Sequence, residues 1–403
     1  MVKIKPFKGY LYNSGKTGDI SGVIAPPWDI ISDEEEKELL SSSEWNIIRL
    51  ISQKILPSDA DRSFQDWIKE DILVKDAADS FYFLRHKFSL MGKTYERKGI
   101  FALLKIEDFS KGNIIPHEHV FEKYHNNRYK LIEKCRANFS PVFMLYQDFG
   151  KKIEGIMDKS PVLCRGKMKG DSLEFGRIDS LRDKELVTDL LSPGKLLIAD
   201  GHHRYQAAYR FYTDNPDARN SHVLVFLANL ESSGLIILPT HRYIPYDVSF
   251  EVEKDSFEKY FHVEKTSGLD GMFKKMEENK GKHAFGIYEK GLFSVITLKD
   301  AEQPFQKTEN REHSRDWLSL DNVILKDVII NRIFRLGEKE IMYNASHEYL
   351  LSEYARRKEG VIVFVNPVSK ESFLKISLNG EKMPQKSTYF YPKVPTGLVI
   401  HKF

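Results

Sequence analysis

The chain has 403 residues, 41% hydrophobic and 30% charged, the composition of a globular protein long enough for two domains. Lys and Arg number 61 against 58 Asp and Glu, and a formal charge of +3 excludes a strong global field for nucleic acid. The two cysteines, Cys135 and Cys164, exclude a disulfide framework; the opening Met1-Val-Lys-Ile-Lys-Pro-Phe7 lacks a secretory apolar run, and no stretch reaches membrane-span length, so the expected compartment is cytoplasmic.

Residues 1–32 read as irregular. Ser32-Asp-Glu-Glu35 is a capped helix start, with the helix running to about Ser43. A second helix is expected over 58–75, with Phe64, Trp67, Ile68 and Ile72 on one side. Strands over 81–90 and 93–109, turning at Gly92, form a hairpin. A helix over 124–138 and a buried strand over 141–146 follow, then a strand–helix unit over 195–212 and strands near 222–230 and 234–239. After Pro245 the texture changes. Helices are expected near 250–260 and 271–278, and a hairpin over 284–288 and 293–298. Helices near 314–332, 346–357 and 369–376, with a strand over 361–365, complete the chain. The expected fold class is α/β (α+β). An N-terminal α/β domain spans 1–245, and an α+β domain spans 246–403, whose last segment, 380–403, packs back toward the site.

Lys195-Leu-Leu-Ile-Ala-Asp-Gly-His-His-Arg-Tyr-Gln-Ala-Ala-Tyr209 is the most informative stretch. An apolar run of strand length meets Gly201, which permits a sharp turn. Tyr205, Ala208, Tyr209 and Tyr212 then fall on one helix face. Free N–H groups at that helix start, with His202, His203 and Arg204 beside them, make an anion site for a phosphate. The alternative is that Asp200 merely caps the helix.

Ile115-Pro-His-Glu-His-Val120 places titratable groups ahead of a polar helix. Glu118 or His117 can act as a base, and Arg128 or His125 as a phosphate clamp; a solvated polar loop is the alternative. His117, His119, His202 and His203 raise zinc, but no metalloprotease spacing or cysteine pair accompanies them. Leu238-Pro-Thr-His-Arg242 brings Arg242 to a strand end beside Thr240 and His241, where it can hold a carboxylate or phosphate bidentately or else serve the structure alone. Lys386, Ser387 and Thr388 offer a cation and hydroxyl donors, or else mark an edge strand. Asp29, after Pro26-Pro27-Trp28, is a substrate or metal carboxylate, or a turn cap. Gly9-Tyr-Leu-Tyr-Asn-Ser-Gly-Lys-Thr17 misses the P-loop spacing by one residue and has no leading apolar strand, so it is read as a loop.

Val23-Ile-Ala-Pro-Pro-Trp-Asp-Ile-Ile31, Asn46-Ile-Ile-Arg-Leu50, Pro116-His-Glu118 with Arg128, Ala199-Asp-Gly-His-His-Arg204, Leu238-Pro-Thr-His-Arg242 and Met383-Pro-Gln-Lys-Ser-Thr388 together resemble a widespread, mostly uncharacterised prokaryotic family. The Asp-Gly-His-His-Arg turn also resembles the phosphate-binding turn of the ParB/sulfiredoxin-like superfamily, which includes sulfiredoxins, ParB nucleotide-binding proteins and kinases of free L-serine. That resemblance implies a ParB/sulfiredoxin-like phosphate-binding core. Sulfiredoxin chemistry needs a cysteine in the turn, where this chain has histidines. A ParB-type DNA protein needs a helix-turn-helix and a basic face, and neither is evident.

What remains is a small-molecule phosphotransferase. By the resemblance, free L-serine is the acceptor and ATP, ADP or pyrophosphate the donor, with Mg2+ held partly by Asp200. Gly201, His202, His203 and Arg204 then hold the donor, with Arg128, Arg242, Lys386, Ser387 and Thr388 as further phosphate contacts. Glu118, His117 or Asp200 serves catalysis, and Asp29, Thr240 and His241 contact substrate. The rival reading is a non-catalytic sensor of a nucleotide or phosphate metabolite. The expected partner is a small molecule, with neither membrane nor nucleic acid; a homodimer is left open.

Overall fold

The structure, a computed structural model, describes residues 1–118, 125–300, 312–337 and 341–403. The chain divides into two compact units. The first comprises Met1–Pro116, Val120–Ile236 and Pro392–Phe403; the second comprises His117–His119 and Ile237–Tyr391. The sequence places a boundary near 245, whereas the chain leaves the first unit between Ile236 and Ile237. His241–Ile244, just before the change of texture, is already a strand of the second unit's sheet.

The first unit is built on a mixed nine-stranded sheet. In chain order its strands are β1 (Ile4–Lys5), β2 (Phe81–Leu90), β3 (Lys93–Lys105), β4 (Ile114–Pro116), β5 (Val142–Tyr146), β6 (Val162–Met168), β7 (Asp171–Ile178), β8 (Leu196–Asp200) and β9 (His222–Asn229). They lie in the order β4-β8-β5-β9-β3-β2-β7-β6, with β1 also on β3. The pairs β4–β8 and β5–β9 are parallel and the rest antiparallel. Central strands are apolar on both faces: Ile100 to Leu104 and Val223 to Ala228 are all buried, as expected of strands covered on two sides. Met91 and Gly92, both at positive φ, close the β2–β3 hairpin in the manner of a type I′ turn.

Two helices matter for the site. Helix α1 (His125–Cys135) packs against α2 (His202–Asp214), and Tyr205, Ala208 and Phe211 of α2 join the sheet core with Ile198, Met144 and Val225.

The local expectations hold in part. The helix after Ser32 runs Asp33–Ser42, with the Ser32 hydroxyl accepting from the Glu35 N–H at 3.2 Å. The next helix, Pro57–Lys69, stops six residues short of 75. Asp71 turns to φ 53, and Leu73–Lys75 instead pairs with Tyr10–Tyr12 as a strand. Helices Lys152–Lys159 and Leu181–Leu191, and the β6–β7 hairpin, were not foreseen.

The second unit carries an antiparallel sheet of β10 (His241–Ile244), β11 (Phe261–Thr266), β12 (Ala284–Glu289), β13 (Leu292–Leu298), β14 (Met342–Asn344) and β15 (Val361–Phe364), in the order β11-β13-β12-β15-β10-β14. Phe257, Phe285, Ile296, Val328, Ile329 and Val363 form much of its core. The helix expected over 314–332 is instead two single turns, Arg315–Leu318 and Asp321–Ile324, running into a π-helix, Leu325–Ile333. Among the described residues no helix is long and apolar enough to cross a membrane.

Candidate functional site

The strand–turn–helix reading of 195–212 holds. Strand β8 fills the core with Leu196, Leu197, Ile198 and Ala199, Gly201 turns the chain at φ 89, and α2 opens at His202. Glycine is required twice over here. The backbone is left-handed, and a Cβ would sit 2.8 Å from Nε of Arg204, which folds back over the turn.

Asp200 does not cap the helix, at whose N-cap, Gly201, no side-chain cap is seen among the described residues. Its Oδ1 accepts from Lys393 Nζ at 2.5 Å, and its Oδ2 accepts from Arg204. A second Arg204 nitrogen donates to the carbonyl of Pro141, at the head of β5. Burial pushes the Asp200 carboxyl up, but Lys393 and then Arg204 outweigh it and hold the group well below the usual carboxylate range.

Arg128, on α1, lies beside this turn. Its guanidinium sits 5.5 Å from the ring centre of Trp28, so the Pro-Pro-Trp segment supplies an aromatic face. Arg128 and Arg204 line one cavity of about 40 Å3 with Ile51, Asn138, Phe139 and Ser140. Among the described residues Arg128 has no hydrogen-bond acceptor and no carboxylate within ion-pair distance. Burial pushes its pKa down to about 10, with Asp29 opposing and Arg204 reinforcing the shift. Asp29 itself is exposed, in the short turn Trp28–Ile30.

The remaining candidates belong to the second unit. His117 is buried, its Nε2 2.8 Å from Thr388 Oγ1 and 3.6 Å from Glu118 Oε1, with the rings of Phe373 and Phe390 against it. The Met383 N–H donates to the His117 carbonyl at 2.8 Å, which ties His117 and Glu118 to the Met383-to-Thr388 motif. Arg242 is buried over Tyr343 and donates to the carbonyls of Thr240 and Lys386. Burial pushes it down to about 10. These donors hold main chain, as in the structural alternative for Arg242.

Lys386 is exposed at φ 57. The buried Ser387 hydroxyl is spent on the Pro384 carbonyl at 2.6 Å. His241 is buried, its Nδ1 accepting from the Val365 N–H at 3.2 Å, and burial pushes its pKa down to about 3. His119 and the side chain of His125 lie outside the described residues.

The sequence candidates therefore fall into two groups. Asp29, Arg128 and 200–204 lie in the first unit; His117, Glu118, Thr240, His241, Arg242 and 386–388 lie in the second. Sequence reading missed Lys393, which nothing in Tyr391-Pro-Lys-Val-Pro395 marks as a partner of the turn. It also missed Arg97, fully buried and donating to the Pro392 carbonyl.

Among the described residues no group of three or more His, Cys, Asp or Glu is placed to hold a metal ion. Asp200 fits poorly as a Mg2+ ligand, because both of its oxygens already accept from cations.

Among solved structures the chain resembles a conserved hypothetical protein from Pyrococcus furiosus, at 13% identity and a TM-score of 0.35, over 74% of this chain and 93% of that one. It resembles a free serine kinase in complex with AMP at 13% identity and a TM-score of 0.35, over 72% and 86%. It also resembles SbnI with a C-terminal truncation, from Staphylococcus aureus, at 10% identity and a TM-score of 0.38, over 74% and 86%. Likeness at this level transfers no activity or site. No curated protein matches the chain. The family model described as "Protein of unknown function (DUF1015)" matches residues 4–323, and the chain belongs to that family.

Proposed function

We propose that the protein is a small-molecule phosphotransferase that converts free L-serine to O-phospho-L-serine, with ATP, ADP or pyrophosphate as donor. One observation carries the reading: Arg128 and Arg204 line a common cavity beside the opening of α2, and Arg128 has no acceptor among the described residues. Two guanidinium groups facing one space repel each other unless an anion joins them. The positive end of the α2 dipole at this opening also favours an anion.

In the proposed reaction the serine hydroxyl oxygen attacks the terminal phosphorus in line. The bond from that phosphorus to the bridging oxygen breaks, and its electron pair leaves with the remaining phosphate or nucleotide. Arg204 and Arg128 hold the donor phosphates and offset the charge that builds on them. Glu118 is assigned the hydroxyl proton on the strength of its sequence motif. No step is routed through a metal at Asp200.

A binding module without catalysis is the second reading. It is favoured by the full engagement of Asp200, which leaves that carboxylate no lone role as a base. The deciding experiment is a transfer screen of free amino acids and polyols against ATP, ADP and pyrophosphate with Mg2+ present, beside calorimetry of each donor. O-phospho-L-serine formation supports the phosphotransferase. Donor binding with no transfer to any acceptor supports the sensor.

A further inference from the structure

We infer that Asn138 and Ser140, on the segment between α1 and β5, are further donors of the phosphate site, and that with Arg128 and Arg204 they form a pocket for one terminal phosphoryl group. The inference rests on the phosphate-binding role proposed for this cavity and adds which neutral groups read the bound anion.

Arg136-Ala-Asn-Phe-Ser-Pro141 carries no catalytic or binding motif, but the fold fixes it closely. Arg136 turns out of α1 at φ 48, and Ala137–Asn138 pairs antiparallel with His401–Lys402. Asn138 is only 6% exposed, and its Oδ1 accepts from the Leu224 N–H of β9 at 3.0 Å. A donor facing one end of the amide identifies that end as the oxygen, so the other end is the NH2 group. That Nδ2 has no acceptor among the described residues, and Asn138 lines the cavity shared by Arg128 and Arg204. A buried amide nitrogen is costly to leave without an acceptor.

Ser140 lines the same cavity. The buried Thr396, tied to Ala25 by a pair of main-chain hydrogen bonds, donates its hydroxyl to Ser140 Oγ at 3.0 Å. Ser140 is thereby left its own hydrogen to give. Arg204 spends two of its nitrogens on Pro141 and Asp200, and a guanidinium has five N–H groups. Four side chains from three parts of the chain therefore bring donors to one space, and no Asp or Glu among the described residues lines it. Such a lining suits a group whose oxygens only accept. The volume of about 40 Å3 is about three water positions, the number of free oxygens on a terminal phosphoryl group. The guanidinium groups attract the anion, and Asn138 and Ser140 add the directions that fit its shape.

Calorimetric titration of pyrophosphate and of inorganic phosphate into the full chain tests this, with urea unfolding measured on every variant. Asn138→Asp keeps the acceptor for the Leu224 N–H and puts a carboxylate oxygen where the NH2 group stood. Its Kd for pyrophosphate is expected to rise about 100-fold, from a lost charge-assisted hydrogen bond and like-charge repulsion. Its stability is expected to hold or rise, which a merely structural role for Asn138 does not predict together with lost binding. Ser140→Ala is expected to raise the Kd about tenfold. Inorganic phosphate is expected to compete with pyrophosphate and to weaken in step with it in both variants. An unchanged Kd in Asn138→Asp, or affinity lost only in step with stability, overturns the assignment while leaving the guanidinium site standing. Should Asn138→Asp not fold, Ser140→Ala decides, and an unchanged Kd there overturns it. Failure of the unaltered chain to bind pyrophosphate or phosphate overturns the site and the assignment together.

Discussion

Lys393 donates to Asp200 at 2.5 Å from 193 residues further along the chain. That contact makes Asp200 a carboxylate held ionised in a mostly buried setting, with Arg204 on its other oxygen. Asp200→Asn removes the carboxylate charge that Lys393 and Arg204 both meet, and breaking a buried pair by removing one partner costs about 3–5 kcal/mol. A loss of that size in urea unfolding at pH 7 is expected. The depressed native pKa means the stabilisation is present above the unfolded carboxylate value. It fades as pH falls through the native value. The difference between Asp200→Asn and the original protein should therefore persist from pH 8 down to about 4 and shrink only below that.

Gly201 sits at φ 89 with Arg204 packed where a Cβ would go. An alanine must either strain the backbone or push the guanidinium off Asp200. Gly201→Ala is expected to lower stability by about 1–3 kcal/mol, combining a left-handed penalty with a weakened ion pair. Pyrophosphate affinity should fall as well. Stability and affinity both unchanged would show that Arg204 relocates freely and that the turn is not preorganised.

Local signals in the sequence reached the core of this site. The apolar run before Asp200, the glycine and the helical period after it are read within fifteen residues, and each is a short-range physical preference. The β2–β3 hairpin was legible for the same reason, through Gly92. Lys393 and Arg97 were not, because their importance arises only when the chain brings Pro392 back to β3. The overrun of the second helix to 75 has a related cause. Ile72 keeps the helical spacing of buried residues, yet it is buried after the chain has turned at Asp71 and begun to pair with Tyr10–Tyr12. For Arg242 the residue type and its strand-end motif leave a phosphate role and a structural one both open. Burial among the carbonyls of Thr240 and Lys386 gives those donors structural work.

Two buried histidines make acid the weak side of this fold. Burial pushes His241 down to about 3, with His347 and Arg242 reinforcing it. Burial pushes His401 down to about 3 as well, helped by His222, Lys5 and Lys75. An unfolded histidine titrates near pH 6.5, so between that pH and 3 the unfolded chain binds more protons and stability falls as pH falls. At pH 5 each histidine is expected to account for about 2 kcal/mol of lost stability relative to pH 8. His401 packs edge-on to Phe7, and its Nε2 has no hydrogen-bond partner among the described residues. His401→Phe should therefore stabilise the protein at pH 5 by more than at pH 8 in parallel urea titrations. An equal effect at both pH values would mean His401 is already charged when folded.

Glu118 carries the sharpest test of catalysis. Its carboxylate lies 3.6 Å from Nε2 of the buried His117, which in turn meets the Thr388 hydroxyl at 2.8 Å. Glutamine keeps the size of this group and one acceptor oxygen but cannot take a proton. In Glu118→Gln, serine phosphorylation is expected to drop by about 10²–10⁴-fold, the usual loss of a general base. Pyrophosphate affinity should stay within about twofold, since Glu118 is given no part in holding the donor. Arg128→Met should show the opposite split: weaker donor binding, because it removes a cavity-lining guanidinium, with a smaller change in the rate at saturating donor. A Glu118→Gln protein that transfers phosphate at the original rate removes Glu118 as the base and turns attention to His117. A Glu118→Gln protein that loses donor binding and transfer together places Glu118 in binding instead. Measuring Kd by calorimetry and turnover by O-phospho-L-serine formation on the same preparations separates these outcomes.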